Sequence, residues 1–150
     1  MCCWKMKGKS GLDNLFEEEE LIHEGVRSIA QGLLDMSDFV TAKGPIELAE
    51  AQVVGKRLRR VCDDLLEELH KARKAVGSLL SHEKEGTLNG KKIKLSDVED
   101  ELSLIHGDVE AIAIIAENFY GSRDRVVAFG NLNKHYRDLV THVTSVMVSR

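Results

Sequence analysis

The sequence predicts an all-α fold, a single antiparallel four-helix bundle with up-down-up-down connectivity, and three observations carry that prediction. Apolar residues recur at three- and four-residue steps in four successive stretches, the period of helices that each bury one face. One proline, four Phe, two Tyr and one Trp leave little material for a sheet, whereas aliphatic residues are abundant and 31% of the chain is charged. Only Lys43, Gly44 and Pro45 separate the first stretch from the second, so the two helices they join are expected to be antiparallel neighbours. A chain of 150 residues fits one domain and buries roughly two-thirds of its unfolded surface, enough for a core without disulfides or metal.

Residues 1–11 lack a sustained apolar period and read as a flexible basic tail, with Cys2 and Cys3 ahead of Lys5, Lys7 and Lys9. The bundle domain takes 12–150. Its first helix is expected from Asp13 or Asn14, either of which suits an N-cap, to about Ala42. The acidic residues 17–20 lie in its first turns, where carboxylates favour the positive end of the helix dipole. Ile22, Val26, Ile29, Leu33, Met36 and Val40 form a heptad seam. Gly25 and Gly32 interrupt it, either as weak points or as places where a neighbouring helix comes close.

The second helix, about 45–81, is the longest, and the bundle is organised around it. Ala51, Val54, Leu58, Val61, Cys62, Leu65, Leu69, Ala72, Val76 and Leu79 line its apolar seam. At ~1.5 Å per residue it is roughly 55 Å long and cannot bury that seam alone. On its outer face Arg59 precedes Asp63, Arg60 precedes Asp64 and Glu67 precedes Lys71 by four residues. Such pairs stabilise a helix by a few tenths of a kcal/mol each, so this face reads as a solvated exterior.

A short hairpin-like loop follows at 86–95, with Asn89-Gly90 as the favoured two-residue turn between short strands. Lys91, Lys92 and Lys94 make it the most basic exposed loop, a candidate contact surface beside the plainer reading of a solvated connector. Ser96 with Glu99 gives a capping box for the third helix, whose seam is Val98, Leu102, Ile105, Val109, Ile112, Ala116 and Phe119. Apolar side chains at 111–116 cover most of the helix circumference, which implies burial on more than one side or a second interface. Gly121-Ser122 offers a stop and a new cap, so the fourth helix is expected from about Arg123 to Val148, with Gly130-Asn131 as the alternative break. Phe129, Leu132, Tyr136, Leu139, Val143 and Val146 form its seam.

A net charge of −4 is too mild to select a partner and argues against a general nucleic-acid coat. Cys2, Cys3 and Cys62 make no disulfide framework, which points to a reducing compartment. The longest apolar run, 111–116, falls far short of the ~18 residues of a membrane span, and no apolar signal region follows the N-terminal lysines. The expected location is cytoplasmic, with membrane association left to the tail.

Glu20 with His23 and Glu67 with His70 repeat the Glu-x-x-His pattern of di-iron bundles. At ~100° per residue both glutamates point away from their seams, so no shared metal site is expected. His106, His135 and His142 stand at seam boundaries, and the last two are ~10 Å apart along the helix, too far for one ion. Cys62 lies on its seam, where burial makes a poor nucleophile. Glu19 and Glu101 fall near seams, so each needs a basic partner or an open bundle end. No phosphate loop, nucleophile elbow or cofactor motif is present, and neither a catalytic residue nor a cofactor is expected.

The leading expectation is therefore a non-enzymatic helical interaction or assembly protein acting through protein–protein contacts. The second helix exceeds the third by about twelve residues, so one end of its seam should project and invite a second copy or a partner helix. The alternative is a peripheral membrane adaptor, S-acylated at Cys2 and Cys3 with the nearby lysines on anionic lipid. A third reading is a nucleic-acid-associated regulator using Lys56, Arg57, Arg59 and Arg60 with the lysine-rich loop.

Overall fold

The computed structural model describes residues 11–80, 85–88 and 91–147, and the side chains of 20–77 and 96–145. Four helices, α1 (Gly11–Ser37), α2 (Pro45–Leu80), α3 (Leu95–Asn118) and α4 (Arg125–Met147), pack each on its sequence neighbour. Contact between α1 and α4 closes the ring, which is the antiparallel up-down-up-down bundle that the apolar periodicity predicts. Two short strands, β1 (Glu85–Leu88) and β2 (Lys91–Lys94), stand between α2 and α3. They pair antiparallel, with Glu85 opposite Lys94 and Leu88 opposite Lys91. Asn89 and Gly90, the turn expected between them, lie outside the described residues.

One core runs the length of the bundle. The predicted α3 seam is buried throughout, from Val98 to Phe119, and α2 buries Leu58, Cys62, Leu65, Leu69, Ala72 and Val76 against it. The two glycines of α1 are sites of close approach. A Cβ on Gly25 would lie 2.7 Å from Leu65 Cδ1, and one on Gly32 would lie 2.7 Å from Leu58 Cδ1. Each leucine of α2 thus rests on backbone that has no side chain in the way, at matching seven-residue intervals on the two helices. Within 111–116 Ile112, Ala113 and Ala116 are buried and Ile115 is partly so, while Ile114 remains 57% exposed. That segment serves the middle of the bundle on most of its faces, and Ile114 alone among them points outward.

Two boundaries differ from the expectation. Helix α1 stops at Ser37 rather than near Ala42, so the connection to α2 is residues 38–44. Ser37 Oγ donates to Leu34 O at 2.6 Å, and the Phe39 and Ala42 amides donate to Met36 O and Phe39 O at 2.9 and 3.1 Å. These are three-residue turns, the local bonding with which Ser and its neighbours compete against helix continuation. Helix α2 starts as expected at Pro45, with Leu48 N donating to Gly44 O at 2.9 Å.

The second difference is at the start of α4. The chain does break at Gly121 and not at Gly130, which lies inside α4. The cap is not Ser122, however. Asp124 Oδ1 accepts from Val126 N at 3.0 Å and Val127 N at 3.2 Å, whereas Ser122 Oγ turns back to Asn118 O at 3.0 Å. A carboxylate outcompetes a hydroxyl at this position because it also meets the helix dipole. Between α3 and α4 a 3-10 turn, Phe119–Gly121, folds under the bundle end. Arg125 ties that end together, its guanidinium donating to Tyr120 O and to Ala42 O in the α1–α2 connection.

Candidate functional site

The extra length of α2 is shared between its two ends. Gly55 meets the carbonyl of Ala116 more closely than any side chain would permit, which sets the register of α2 against α3. From that crossing α2 continues ten residues back to Pro45, while α3 continues only two, to Asn118. In the other direction α2 continues twenty-five residues to Leu80 and α3 twenty-one to Leu95. Most of the overhang is therefore at the start of α2. The apolar seam itself does not project there, because Ala51 is only 1% exposed.

What projects is a second stripe. Ile46, Ala49 and Val53 follow one another at three- and four-residue steps on a face turned more than a quarter of the way around α2 from the seam. Ile46 is 77% and Val53 56% exposed. Together with Phe39 from the α1–α2 connection and Val54 at the edge of the seam, they line an open groove of about 560 Å³. Glu50 and Arg57 are its charged rim. Phe39 reaches this place because α1 stops early: the tight turns after Ser37 swing it to the flank of α2, where it also packs on the core. The stripe has a signal in the sequence, the spacing 46, 49, 53, but the longer seam beside it masks that signal.

The other candidate residues are dispersed. Cys2 and Cys3 lie outside the described residues, as do the side chains of Glu19, Lys91, Lys92 and Lys94; the three lysines occupy β2. Glu20, Glu67 and His70 are exposed and His23 is half-buried. Glu101 is half-buried, and its Oε2 has no hydrogen-bond partner among the described residues. His106 pairs with Glu110 one turn on, Nδ1 to Oε1 at 2.9 Å.

On the outer face of α2, Arg59 bonds Asp63 at 3.0 Å as expected and also reaches across to Glu117 of α3. Lys71 pairs with Glu68 at 3.4 Å rather than with Glu67. The two glutamates differ in facing, Glu68 being half-buried and Glu67 exposed, and the Lys71 side chain stays 53% exposed at the pair. No helix among the described residues is long and apolar enough to cross a membrane.

Cys62 is fully buried, and desolvation pushes its thiol up from 9.0 to about 12. The native thiol is therefore neutral where an unfolded one ionises. Because the folded pKa is raised, stability is unaffected below pH 9 and falls as pH rises from there towards 12, by up to ~1.4 kcal/mol per pH unit. Urea unfolding of Cys62→Ser and the native chain between pH 8 and 11 is expected to show a steeper alkaline loss for the native chain. Parallel curves would contradict the buried neutral thiol. Comparison of the chain with protein-family models, curated proteins and solved structures finds no match.

Proposed function

We propose that this is a non-enzymatic assembly protein that works by presenting a helical surface, and that the surface is the exposed stripe of α2. The observation that carries the reading is the groove of Phe39, Ala49, Val53 and their neighbours at the overhanging start of α2. Ile46 is 77% and Val53 56% exposed in the single chain, and covering what remains would contribute up to about 1.5–3 kcal/mol each. A helix laid along the stripe would cover them, and the same stripe on a second copy is such a helix. Two copies related by a two-fold axis would set Glu50 and Arg57 of each rim near those of the other, where opposite charges can pair.

Sedimentation velocity of the full chain at micromolar concentration tests this. A dimer is expected for the native chain and a monomer for Ile46→Glu with Val53→Glu, both with unchanged far-UV circular dichroism. Both residues face solvent within one copy, so the pair of substitutions leaves the bundle core intact. A native chain that sediments only as a compact monomer overturns the proposal.

A further inference from the structure

Away from the groove, the α3–α4 interface gathers a different kind of chemistry. Asp108 of α3 and His135 and Asp138 of α4 each bring one donor atom to a place where all three lie within 4.8 Å of one another. None of the three is fully exposed, and the Asp108 side chain is only 14% so. The two residues on α4 are three apart, so a single helix turn presents them side by side, and Asp108 faces them from the antiparallel neighbour. His142, one turn beyond Asp138, bonds Asp108 through Nδ1 to Oδ2 at 2.7 Å.

Two features separate this group from an ordinary patch of surface acid. A histidine stands with the carboxylates, so the donors are one nitrogen and two oxygens rather than oxygens alone. Among the described residues no lysine or arginine pairs with Asp108 or Asp138, although Lys134 and Arg137 are close by on α4 and both exposed. His142 bonds Asp108 alone, so the two carboxylates drawn together still repel each other, and a cation bound between them relieves that.

We propose that Asp108, His135 and Asp138 bind a divalent first-row transition-metal ion, for which Zn²⁺ is the natural probe. The site goes beyond the assembly surface and is independent of it. One imidazole with two carboxylates is a mixed set that suits zinc and its neighbours better than magnesium or calcium, which take oxygen alone. Donors bound at ~2.0–2.2 Å in tetrahedral geometry stand ~3.4 Å apart, so three donor atoms within 4.8 Å of one another are close enough to converge on an ion by side-chain rotation. His142 is not required as a ligand. By donating its Nδ1–H to Asp108 Oδ2 it orients the carboxylate and leaves Oδ1 for the ion, the usual second-layer support of a metal ligand. This also removes the objection that His135 and His142 are too far apart to share an ion, since the third residue comes from the other helix. The ion would pin α3 to α4 at mid-helix and keep open positions for water or a further ligand.

The test is a calorimetric titration of the metal-free full chain with Zn²⁺, carried out with Cys2→Ser and Cys3→Ser so that the paired thiols do not take up the ion. One Zn²⁺ per chain is expected with micromolar or tighter affinity, together with a rise in Tm, because the ion binds the folded and not the unfolded chain. Asp108→Asn and His135→Gln are each expected to abolish saturable binding with unchanged circular dichroism. His142→Gln is expected to weaken binding by about 10–100-fold while keeping the stoichiometry. Amide chemical-shift changes on adding Zn²⁺ to the chain without these three substitutions should cluster around residues 108 and 135–142, which locates the site even if a variant folds poorly. Absence of saturable binding overturns the proposal. So does binding that survives in the Asp108→Asn, His135→Gln double variant, or shifts centred elsewhere in the bundle.

Discussion

Phe119→Ala is expected to destabilise the protein by about 3–5 kcal/mol, the largest effect of any single side-chain truncation in the bundle. Phe119 is fully buried and is the bulkiest of the completely enclosed side chains among the described residues. Its position explains why the cost should fall at the top of the range. It does not sit mid-helix, where neighbours on both sides could relax into a cavity, but at the first residue of the 3-10 turn that closes the bundle end. That turn packs on α2, α3 and α4 at once, and Phe119 O accepts the Ser122 amide at 3.1 Å. The backbone is thus held while the side chain is removed, so the cavity cannot readily collapse. Against a typical total of 5–15 kcal/mol, such a loss leaves a marginal protein. Chemical denaturation checks it: Leu139→Ala, a buried residue within regular α4, serves as comparison with an expected loss of about 2–5 kcal/mol. A Phe119→Ala loss under 2 kcal/mol would mean that the turn moves to fill the space and does not hold the bundle end.

The architecture was legible because each helix carries its burial in its spacing. Val98, Leu102, Ile105, Val109, Ile112, Ala116 and Phe119 step four and three residues apart, and every one is buried. Boundaries were less legible where two local solutions compete. Ser37 and Asp38 lie in an apolar stretch that could continue as helix to Val40, and the Ser37 hydroxyl bond to Leu34 O together with the tight backbone turns at Phe39 and Ala42 ends it early. Ser122 and Asp124 are both good caps by residue type, and the choice between them depends on how the 3-10 turn folds back, which Phe119 decides through tertiary packing.

The candidate sites were harder still, for two separate reasons. The Ile46, Ala49, Val53 stripe shares its helix with a stronger seam, so a search for one dominant period passes over it. Asp108 is 27 residues from His135, and nothing in the local pattern of either helix says that they meet. Their meeting follows from the register of α3 against α4, which only the packed core defines. His135 and His142 were visible as a pair on one helix face, but the residue that gives them a chemical context is on the other helix.

Gly55→Ala is expected to destabilise the protein by about 1–3 kcal/mol, although alanine is the better helix former by close to 1 kcal/mol. The reason lies in what the new methyl would meet. An ideal Cβ at Gly55 stands 2.5 Å from the Ala116 carbonyl oxygen, which belongs to the α3 backbone and cannot rotate away. Relief requires α2 and α3 to separate, and separation also draws Arg59, one turn along α2, from Glu117, the residue after Ala116. The same substitution elsewhere should have other outcomes. At Gly32 the Cβ meets Leu58 Cδ1 at 2.7 Å, the far end of a side chain that can shift, so the cost should be smaller. At Gly107 and Gly130 nothing stands within 4 Å, and alanine is expected to stabilise by about 0.5–1 kcal/mol through propensity alone. Urea midpoints of the four variants should therefore order as Gly55 below Gly32 below Gly107 and Gly130. If Gly55→Ala stabilises the protein as Gly130→Ala does, α2 and α3 do not cross backbone to backbone at this point, and the register that places the exposed stripe beyond the reach of α3 is lost with it.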